Sequence, residues 1–342
     1  MLGTAVGSYS APQLIAGGAL NFSQMFSAFP TATGCTWYGL QPNGTLYAWG
    51  GNSSGQLGVG DTTNRSTPTL VIGGYSFSQI AINQIQAYGI ATNGTTYAWG
   101  NNASGNLGDG TVISKSSPVA VLNSNTLKFV KIFAGNGNSW GWSFGLTASG
   151  ILYAWGANTY GALGVNDSNA RSSPVAVSGG ISFSTISVGN DHVLGLSTSG
   201  VVYAWGNNTY GQLGDGTVIA KSSPVAVLSG PFGGDPIVQI VAGNLASLAI
   251  TSKGTMYAWG ENSTGKVGDS TTVNKSSPVA VSGGLQAQLS PYIFQSNTPT
   301  ATTISVTPGS TYNVIVANNG CLFGTTQVAY GPVQSITVSY NQ

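Results

Sequence analysis

The most unusual property of this 342-residue sequence is its shortage of charged side chains. Asp, Glu, Lys and Arg together make up 5% of the residues, and the formal net charge is +1. Ordinary soluble domains contain about 25% of these residues. A nearly neutral chain lacks the basic surface that attracts DNA, RNA or an acidic membrane. We therefore expect no nucleic-acid partner, and a solubility that depends on Ser, Thr, Asn and Gly.

Cysteine and long apolar runs are also scarce. The two cysteines, Cys35 and Cys321, are too few for a disulfide framework and lack the spacing of a zinc site, although one bridge between them stays open as an alternative. No apolar run is long enough for a membrane-spanning helix, and residues 1–13 have neither the basic nor the apolar region of a secretory signal. We therefore expect no cofactor, no metal and no membrane insertion.

The abundant feature of the sequence is a repeat. Tyr-Ala-Trp-Gly occurs five times at a nearly constant spacing. Each unit has four short runs of apolar or β-branched residues, separated by breaks rich in Gly, Asn and Ser, and helical periodicity is missing. Four strands repeated about every 50 residues predict an all-β chain, a β-propeller of four-stranded blades. We expect the repeat tryptophans to fill the spaces between blades, and they are Trp49, Trp99, Trp155, Trp205 and Trp259.

Other positions of the repeat keep a constant distance from the tyrosine. An Asn stands at the fifth position after it, a Gly at the eighth, a Leu or Val at the tenth and a Pro at the twenty-first. This pattern, complete from Gly189 to Pro224, resembles the repeat of the regulator of chromosome condensation family of β-propellers. The resemblance covers residues 12–281 and implies the propeller fold. It does not extend to nucleotide exchange on a small GTPase or to chromatin binding, because the basic tail and the wedge insertion for those activities are not visible.

The number of blades is open between two alternatives. Six blades are the first choice, with a degenerate sixth in which Tyr312, Gly320 and Leu322 keep the repeat spacing and residues 10–18 close the ring. In the alternative, the propeller repeats end at residue 285, and residues 286–342 form a small C-terminal β domain. The string ISVTPGSTYNVIVANNG in that segment resembles a strand pair found near the C-termini of phage tail and fibre proteins.

Most of the few charges recur at fixed positions of the repeat. A cation stands at the eighteenth position after each repeat tyrosine, and an acid stands at the twelfth or the fourteenth. The residues are Arg65, Lys115, Arg171, Lys221 and Lys275, with Asp61, Asp109, Asp167, Asp215 and Asp269. Equivalent positions of a propeller form a ring, so these charges should lie on one rim. We favour one ion pair per blade that stabilises the connection before the outer strand, over a ring that binds a partner.

Catalytic residues are not evident. His192 is the only histidine, and the other units have Thr36, Gln86, Trp142 and Ala246 at its position. A triad or a histidine-rich metal site therefore has no partners, and we predict a hydrogen-bonded structural histidine. The two LGDGT stretches supply one carboxylate per unit, which is typical of turns and not of calcium loops. We expect no enzyme activity.

One insertion departs from the repeat and could carry recognition. Residues 135–145 read GNGNSWGWSFG, and Trp140 and Trp142 lie there beside Asn136 and Asn138. Tryptophan with asparagine can stack on a sugar or anchor a protein loop, so these four residues are the candidate ligand-binding site. The alternative is that the aromatic side chains face the neighbouring blade.

These observations favour a non-enzymatic structural protein. A charge-poor chain without an export signal fits a virion component assembled in the host cytoplasm, so we expect a phage appendage, fibre, or capsid or tail decoration that is multimeric in its assembly. Its expected partners are other virion proteins and a host-surface glycan or receptor. Two alternatives stay open: a secreted or surface lectin or enzyme-inhibiting propeller, and an enzyme with an unrecognised polar cluster in the central channel.

Overall fold

The fold is a series of propeller blades. The computed structural model describes residues 20–28, 35–135 and 141–282 with their side chains, and the backbone of four further strands between residues 303 and 337. The first part forms five four-stranded antiparallel sheets, in which consecutive strands of the chain are neighbours. The predicted all-β architecture of four-stranded blades is therefore confirmed.

The strands of the blades have the following bounds. Blade 1 contains β1 (Gln24–Ala28), β2 (Thr36–Leu40), β3 (Leu46–Gly50) and β4 (Arg65–Leu70). Blade 2 contains β5 (Phe77–Ile82), β6 (Gln86–Ala91), β7 (Thr96–Gly100) and β8 (Lys115–Ala120). Blade 3 contains β9 (Phe129–Ala134), β10 (Trp142–Thr147), β11 (Leu152–Gly156) and β12 (Arg171–Ala176). Blade 4 contains β13 (Phe183–Val188), β14 (His192–Ser197), β15 (Val202–Gly206) and β16 (Lys221–Ala226). Blade 5 contains β17 (Ile237–Ala242), β18 (Ala246–Thr251), β19 (Met256–Gly260) and β20 (Lys275–Ala280). One short helix, α1 (Ser124–Leu127), and two 3₁₀ segments, Thr159–Gly161 and Gly230–Phe232, lie in connections.

The structure of the third strand of each blade explains the sequence Tyr-Ala-Trp-Gly in the repeat. In β7, Tyr97 and Trp99 share one face of the strand and Ala98 lies on the other. Ala98 and Trp99 are fully buried and Tyr97 is half-buried. Both faces are covered because the blade is packed between two neighbours. The strand ends at Gly100, which has a φ of 106°. Glycine adopts this conformation readily, whereas β-branched residues do not.

The repeat tryptophans of blades 2 to 5 lie in the seams between blades. A Cβ placed on Gly58 of blade 1 would lie 2.8 Å from Trp99 Nε1 of blade 2. The same contact joins Gly108 to Trp155, Gly164 to Trp205 and Gly214 to Trp259. The predicted position of these four tryptophans is confirmed, and glycine is needed opposite each because any side chain would displace the ring. Trp49 of blade 1 stacks on Phe22 at a centroid distance of 6.0 Å.

The first strands lie on the inner side of the series of blades. β5 contacts β1 and β9, and β13 contacts β9 and β17. Because the strands of a blade follow in order, the fourth strands are the outermost ones. The repeat cation is the first residue of each fourth strand. The ion-pair positions therefore lie on the outer rim, as the sequence predicts.

The C-terminal strands pair differently from a blade. β21 (Thr303–Ser305) pairs with β24 (Ser335–Thr337), and β22 (Thr311–Asn318) pairs with β23 (Cys321–Ala329), in two separate two-stranded sheets. In a blade, the glycine that closes the Tyr-Ala-Trp-Gly phrase ends the third strand. Ile315 stands at that distance from Tyr312, and a β-branched residue favours continuation of the strand. The pairing of these four strands therefore differs from the pairing within the five described blades. Residues 10–18, the predicted closing strand, lie outside the described residues.

Candidate functional site

The connection between the third and fourth strands is organised by one buried asparagine per blade. In blade 4 the Asn208 side-chain oxygen accepts a hydrogen bond from the Leu213 N–H at 3.0 Å. Its amide nitrogen donates to the carbonyl oxygens of Thr217 and Ile219, at 3.1 and 3.2 Å, and to Asp215 Oδ1 at 3.1 Å. The equivalent residues hold their own connections in the same way: Asn52, Asn102, Asn158 and Asn262. One side chain therefore gives a long connection a single conformation.

Blades 2, 4 and 5 place the rim acid at the twelfth position after the repeat tyrosine and pair it with lysine. In blade 5, Asp269 Oδ1 accepts hydrogen bonds from the Thr271 hydroxyl at 2.8 Å and from Asn262 Nδ2 at 3.1 Å. The other carboxylate oxygen lies 2.9 Å from Lys275 Nζ, and this contact lowers the pKa of Asp269. The equivalent pairs are Asp109–Lys115 at 3.8 Å and Asp215–Lys221 at 3.6 Å.

Blades 1 and 3 place the acid at the fourteenth position after the tyrosine and pair it with arginine. Arg65 donates to Asp61 at 2.6 Å and to the Thr63 carbonyl oxygen at 2.8 Å. Arg171 and Asp167 repeat the ion pair at 2.5 Å. The arginine hydrogen bond lowers the pKa of both aspartates. Arginine suits this arrangement because its planar guanidinium can reach a carboxylate and a carbonyl at once.

All five predicted ion pairs form, and each lies within one blade. One ion pair therefore spans the connection before the outer strand in each blade, which is the arrangement that the favoured interpretation predicts. The paired side chains are partly exposed, so solvent screens each pair and its contribution to stability is small. Acid and cation neutralise each other locally, so the rim has little net charge with which to attract a ligand.

The same connections expose two adjacent apolar side chains in blades 2 and 4, and a single one, Val273, in blade 5. Val112 and Ile113 of blade 2 are 60% and 64% exposed, and Val218 and Ile219 of blade 4 have the same values. The equivalent residues are Thr62 and Thr63 in blade 1, Ser168 and Asn169 in blade 3, and Thr272 and Val273 in blade 5. The fold does not require apolar residues here, because polar residues serve in blades 1 and 3. We call Val112–Ile113 and Val218–Ile219 the rim tips.

Trp142, a predicted ligand-binding residue, belongs to the core. It is 1% exposed and lies in a buried cluster with Val193 and Trp205 of blade 4. As the first residue of β10 it has the position that His192 has in β14, and side chains at this position face the next blade. The prediction of an exposed surface is wrong for Trp142, and the alternative of a core residue holds. The other three candidates, Trp140, Asn136 and Asn138, lie outside the described residues.

His192 is a buried structural residue, as predicted. Its Nε2 lies 2.8 Å from Ser247 Oγ of blade 5, and the Ser247 hydroxyl donates to the Gln212 carbonyl oxygen at 2.7 Å. The serine proton is already used, so His192 must donate from Nε2. Burial lowers the pKa of His192 to about 4. A histidine that donates to a serine does not act as its base, so these two residues are not a catalytic dyad.

The described residues contain no group of three His, Cys, Asp or Glu side chains that could hold a metal ion. In the same part of the chain, no helix is long and apolar enough to cross a membrane. Cys35 has no disulfide partner among the described side chains, which do not include Cys321.

Two solved structures share the fold of this chain. Human WBSCR16 superposes with a TM-score of 0.60 at 21% identity, over 74% of this chain and 66% of that chain. Yeast RCC1 (Prp20), in its complex with Kap60, superposes with a TM-score of 0.59 at 21% identity, over 73% of this chain and 59% of that chain. At such low identity, these likenesses establish the fold alone.

Sequence relatives include longer proteins. The ultraviolet-B receptor UVR8 of Arabidopsis thaliana is 29% identical over 242 residues, which are 70% of this chain and 42% of that protein. The probable E3 ubiquitin-protein ligase HERC4 of Rattus norvegicus is 31% identical over 160 residues, 46% of this chain and 15% of the relative. This chain thus spans less than half the length of both relatives. The model of the RCC1-like domain matches residues 9–290, which include all five blades. The chain therefore belongs to the RCC1-like domain family.

Proposed function

We propose that this chain is a non-enzymatic propeller that binds other proteins through its rim tips. The observation that carries the proposal is the contrast between equivalent connections. Blades 2 and 4 expose Val and Ile where blades 1 and 3 have Thr, Ser and Asn. Exposed apolar side chains that the fold does not need are typical of contact surfaces.

The rim tips are suited to binding because their backbone is held in place. Asn102 Nδ2 donates to the Ile113 carbonyl oxygen at 3.2 Å, and Asn208 holds Ile219 in the same way. A partner that covers the tips would therefore lose little conformational entropy in the loop. The ion pairs beside the tips neutralise the rim, so we expect a partner surface that is apolar and uncharged.

The structural neighbours support a role in protein contacts. One solved structure is of yeast RCC1 (Prp20) bound by Kap60, and another concerns the binding of Prp20p to Gsp1p and histones. Those partners are partners of the yeast protein. They support the proposal only in that a propeller of this fold serves there as a surface for other proteins.

The narrower form of the proposal is a virion structural protein. It is supported by the shortage of charge, by the two rim tips that allow bivalent contact, and by the phage-like sequence of the C-terminal strands. The partners would be other virion proteins, with a host-surface glycan or receptor as a further candidate. The lectin alternative now depends on Trp140, because Trp142 is buried.

Two measurements test the two forms of the proposal separately. Mass spectrometry of purified particles should detect the chain at a constant ratio to the major structural protein, and its absence would contradict the virion form. The binding form is tested by co-sedimentation of the purified chain with those particles. Alternatively, a cross-linker at position 113 identifies a partner protein, and the affinity of the chain for that purified partner is then measured.

The variants for the binding test come from the chain itself. Val112→Thr with Ile113→Thr, and Val218→Thr with Ile219→Thr, copy the polar connection of blade 1 and keep β-branched side chains. We expect each pair of substitutions to weaken binding at least tenfold while the melting temperature stays within a few degrees. Thr62→Ser with Thr63→Ser in blade 1 is the control and should leave binding unchanged. Unchanged binding by the fourfold rim-tip variant would contradict the proposal.

A further inference from the structure

The two rim tips are alike within their own blades. Their valine and isoleucine have the same exposures, and each tip adjoins one Asp–Lys pair. An exposed leucine, Leu122 in blade 2 and Leu228 in blade 4, packs beside the glycine two residues before each tip. Because both blades share these features, a difference between the two tips has to come from the neighbouring blade.

The connection of the preceding blade flanks each rim tip. A Cβ on Gly161 of blade 3 would lie 2.4 Å from Ser222 Cα of blade 4. Ser222 is three residues after Ile219, and three residues of chain span at most about 10 Å. The residue before Gly161 is Tyr160, which is 50% exposed. The rim tip of blade 4 therefore has a tyrosine at its side, where that of blade 2 has Ser54 of blade 1.

The backbone of Tyr160 is strained. Its φ is 58°, in the left-handed region that a bulky residue avoids. In blade 4 the N–H at this position donates to Gln212 Oε1 at 2.9 Å, and blade 3 has Ala162 in place of that glutamine. Blade 5 also lacks an amide there, yet its residue keeps a negative φ. The equivalent residues, all with negative φ, are Ser54, Ser104, Tyr210 and Thr264. Strain that the repeat does not require is typical of functional sites.

We propose that Tyr160 and the rim tip of blade 4 form one binding site for an uncharged, apolar segment of a partner protein, and that Tyr160 makes this tip the stronger of the two. The inference rests on the proposed function and assigns its main contact to one blade. An exposed tyrosine supplies a large contact area and loses little side-chain entropy on binding, so it is a frequent hot spot in protein interfaces.

The polar groups beside this tip favour an apolar protein segment over a sugar. Asp215 accepts hydrogen bonds from the Thr217 hydroxyl at 2.8 Å and from Asn208 Nδ2 at 3.1 Å, and lies 3.6 Å from Lys221 Nζ. A sugar is held by several directed hydrogen bonds, and these groups already bond one another. A charged segment would likewise meet a carboxylate and an ammonium group that neutralise each other.

Methyl NMR of the full-length chain tests the proposal with two small probes. tert-Butanol imitates a branched apolar side chain, and methyl α-glucoside imitates a sugar. We expect tert-butanol to shift the methyl signals of Val218 and Ile219 at least twofold more than those of Val112 and Ile113, which are the internal control. Tyr160→Ser, which copies blade 1, should reduce the shifts at blade 4 to those at blade 2. Tyr160→Phe should keep most of the difference.

Two further measurements separate binding from a structural role. Tyr160→Gly relieves the positive φ, so the melting temperature should not fall. In co-sedimentation with the purified particles, Tyr160→Ser should weaken binding at least threefold. Tyr210→Ser is the matched control, because Tyr210 has the same position without the strain and flanks blade 5, which exposes Val273 alone. It should change binding less than twofold.

Four results would overturn the proposal. Equal shifts at the two tips, or none at either, would mean that the tyrosine does not strengthen the blade 4 tip. Shifts at blade 4 that persist in Tyr160→Ser would mean the same. A larger response there to methyl α-glucoside would assign the site to a sugar. A clear fall in the melting temperature of Tyr160→Gly would mean that the fold needs the tyrosine. Failure of the proposed function is a different result, namely unchanged particle binding by the fourfold rim-tip variant.

Discussion

The outer connections and the seams between blades use buried polar groups in opposite ways. In the connections the same asparagine recurs in all five blades and both ends of its side chain are hydrogen-bonded. In the seams the facing residues change from blade to blade. Some buried polar atoms there, including both amide atoms of Gln86 and Nδ1 of His192, have no hydrogen-bond partner among the described residues. The difference shows that the connection is the invariant element of the fold, and that a seam needs a matching volume more than a particular hydrogen bond.

The seam pairs can be written in order along the chain. His192, at the start of β14, meets Ser247, the residue after the same position in blade 5, and Trp142 shares a buried cluster with Val193. The equivalent positions carry Thr36 and Ala87 in blades 1 and 2, and Gln86 and Ser143 in blades 2 and 3. Small, polar and aromatic side chains therefore occupy the same structural position in different blades.

The largest expected effect on stability is at the seam between blades 3 and 4, which contains Trp142. Trp142→Ala removes a buried indole between blades 3 and 4, and should lower the free energy of unfolding by about 4 kcal/mol. Urea denaturation measures this loss. Trp142→Phe keeps most of the volume and should lose less than half as much. A Trp142→Ala protein of unchanged stability would return this residue to the candidates for ligand binding.

The connection should show the next largest effect. Asn208→Ala leaves the Leu213 N–H and two carbonyl oxygens of the loop without their partner, so we expect a loss of about 3 kcal/mol in the free energy of unfolding. Asn93→Ala is the control, because Asn93 is an exposed turn residue with one side-chain hydrogen bond to Thr95. Equal losses in the two variants, measured in urea, would contradict the central role of the buried asparagine.

The seam between blades 4 and 5, which contains His192 and Ser247, should have a smaller effect on stability that depends on pH. The folded-state pKa of His192, about 4, is below its unfolded value of 6.5. The unfolded chain therefore binds the proton first, and stability falls as pH drops from 6.5 towards 4. Between pH 7 and pH 5 the loss should be on the order of 2 kcal/mol.

The matched variant for this prediction is His192→Gln, which uses the residue found at the same position of blade 2. Its free energy of unfolding, from urea denaturation at several pH values, should stay nearly constant between pH 7 and pH 5. The remaining acid sensitivity should appear below about pH 4, where the paired carboxylates such as Asp61 and Asp269 take up protons. An unchanged slope in His192→Gln would show that another group titrates in this range.

Much of the blade could be predicted from the sequence because its contacts are local. The ion pair Asp167–Arg171 spans a single tight turn of the chain, and Asn208 reaches only as far as Ile219. Interactions of this range repeat whenever the unit repeats, so five aligned copies reveal them. The rim tips were visible in the same alignment as two copies of Val-Ile among polar residues, but their significance depends on an exposure that only the structure measures.

The loop of residues 230–236, before blade 5, has a role in the core that the sequence pattern does not predict. Blade 5 begins with Ile237 where blades 2 to 4 begin with phenylalanine. Phe232, from the irregular segment, packs against Trp259 at a centroid distance of 6.4 Å and against Tyr257 at 5.1 Å. The loop thus replaces a core side chain that the strand lacks, and no spacing rule indicates this.

The sequence by itself determined the four-stranded blade, its tryptophan, its buried asparagine and its rim ion pair, because each depends on residues within one unit. Only the tertiary structure decided that Trp142 is buried and that His192 donates to Ser247. These features join residues of different units, a full repeat apart along the chain. The packing of two twisted sheets decides which residues meet across a seam. The spacing of a repeat does not predict that packing.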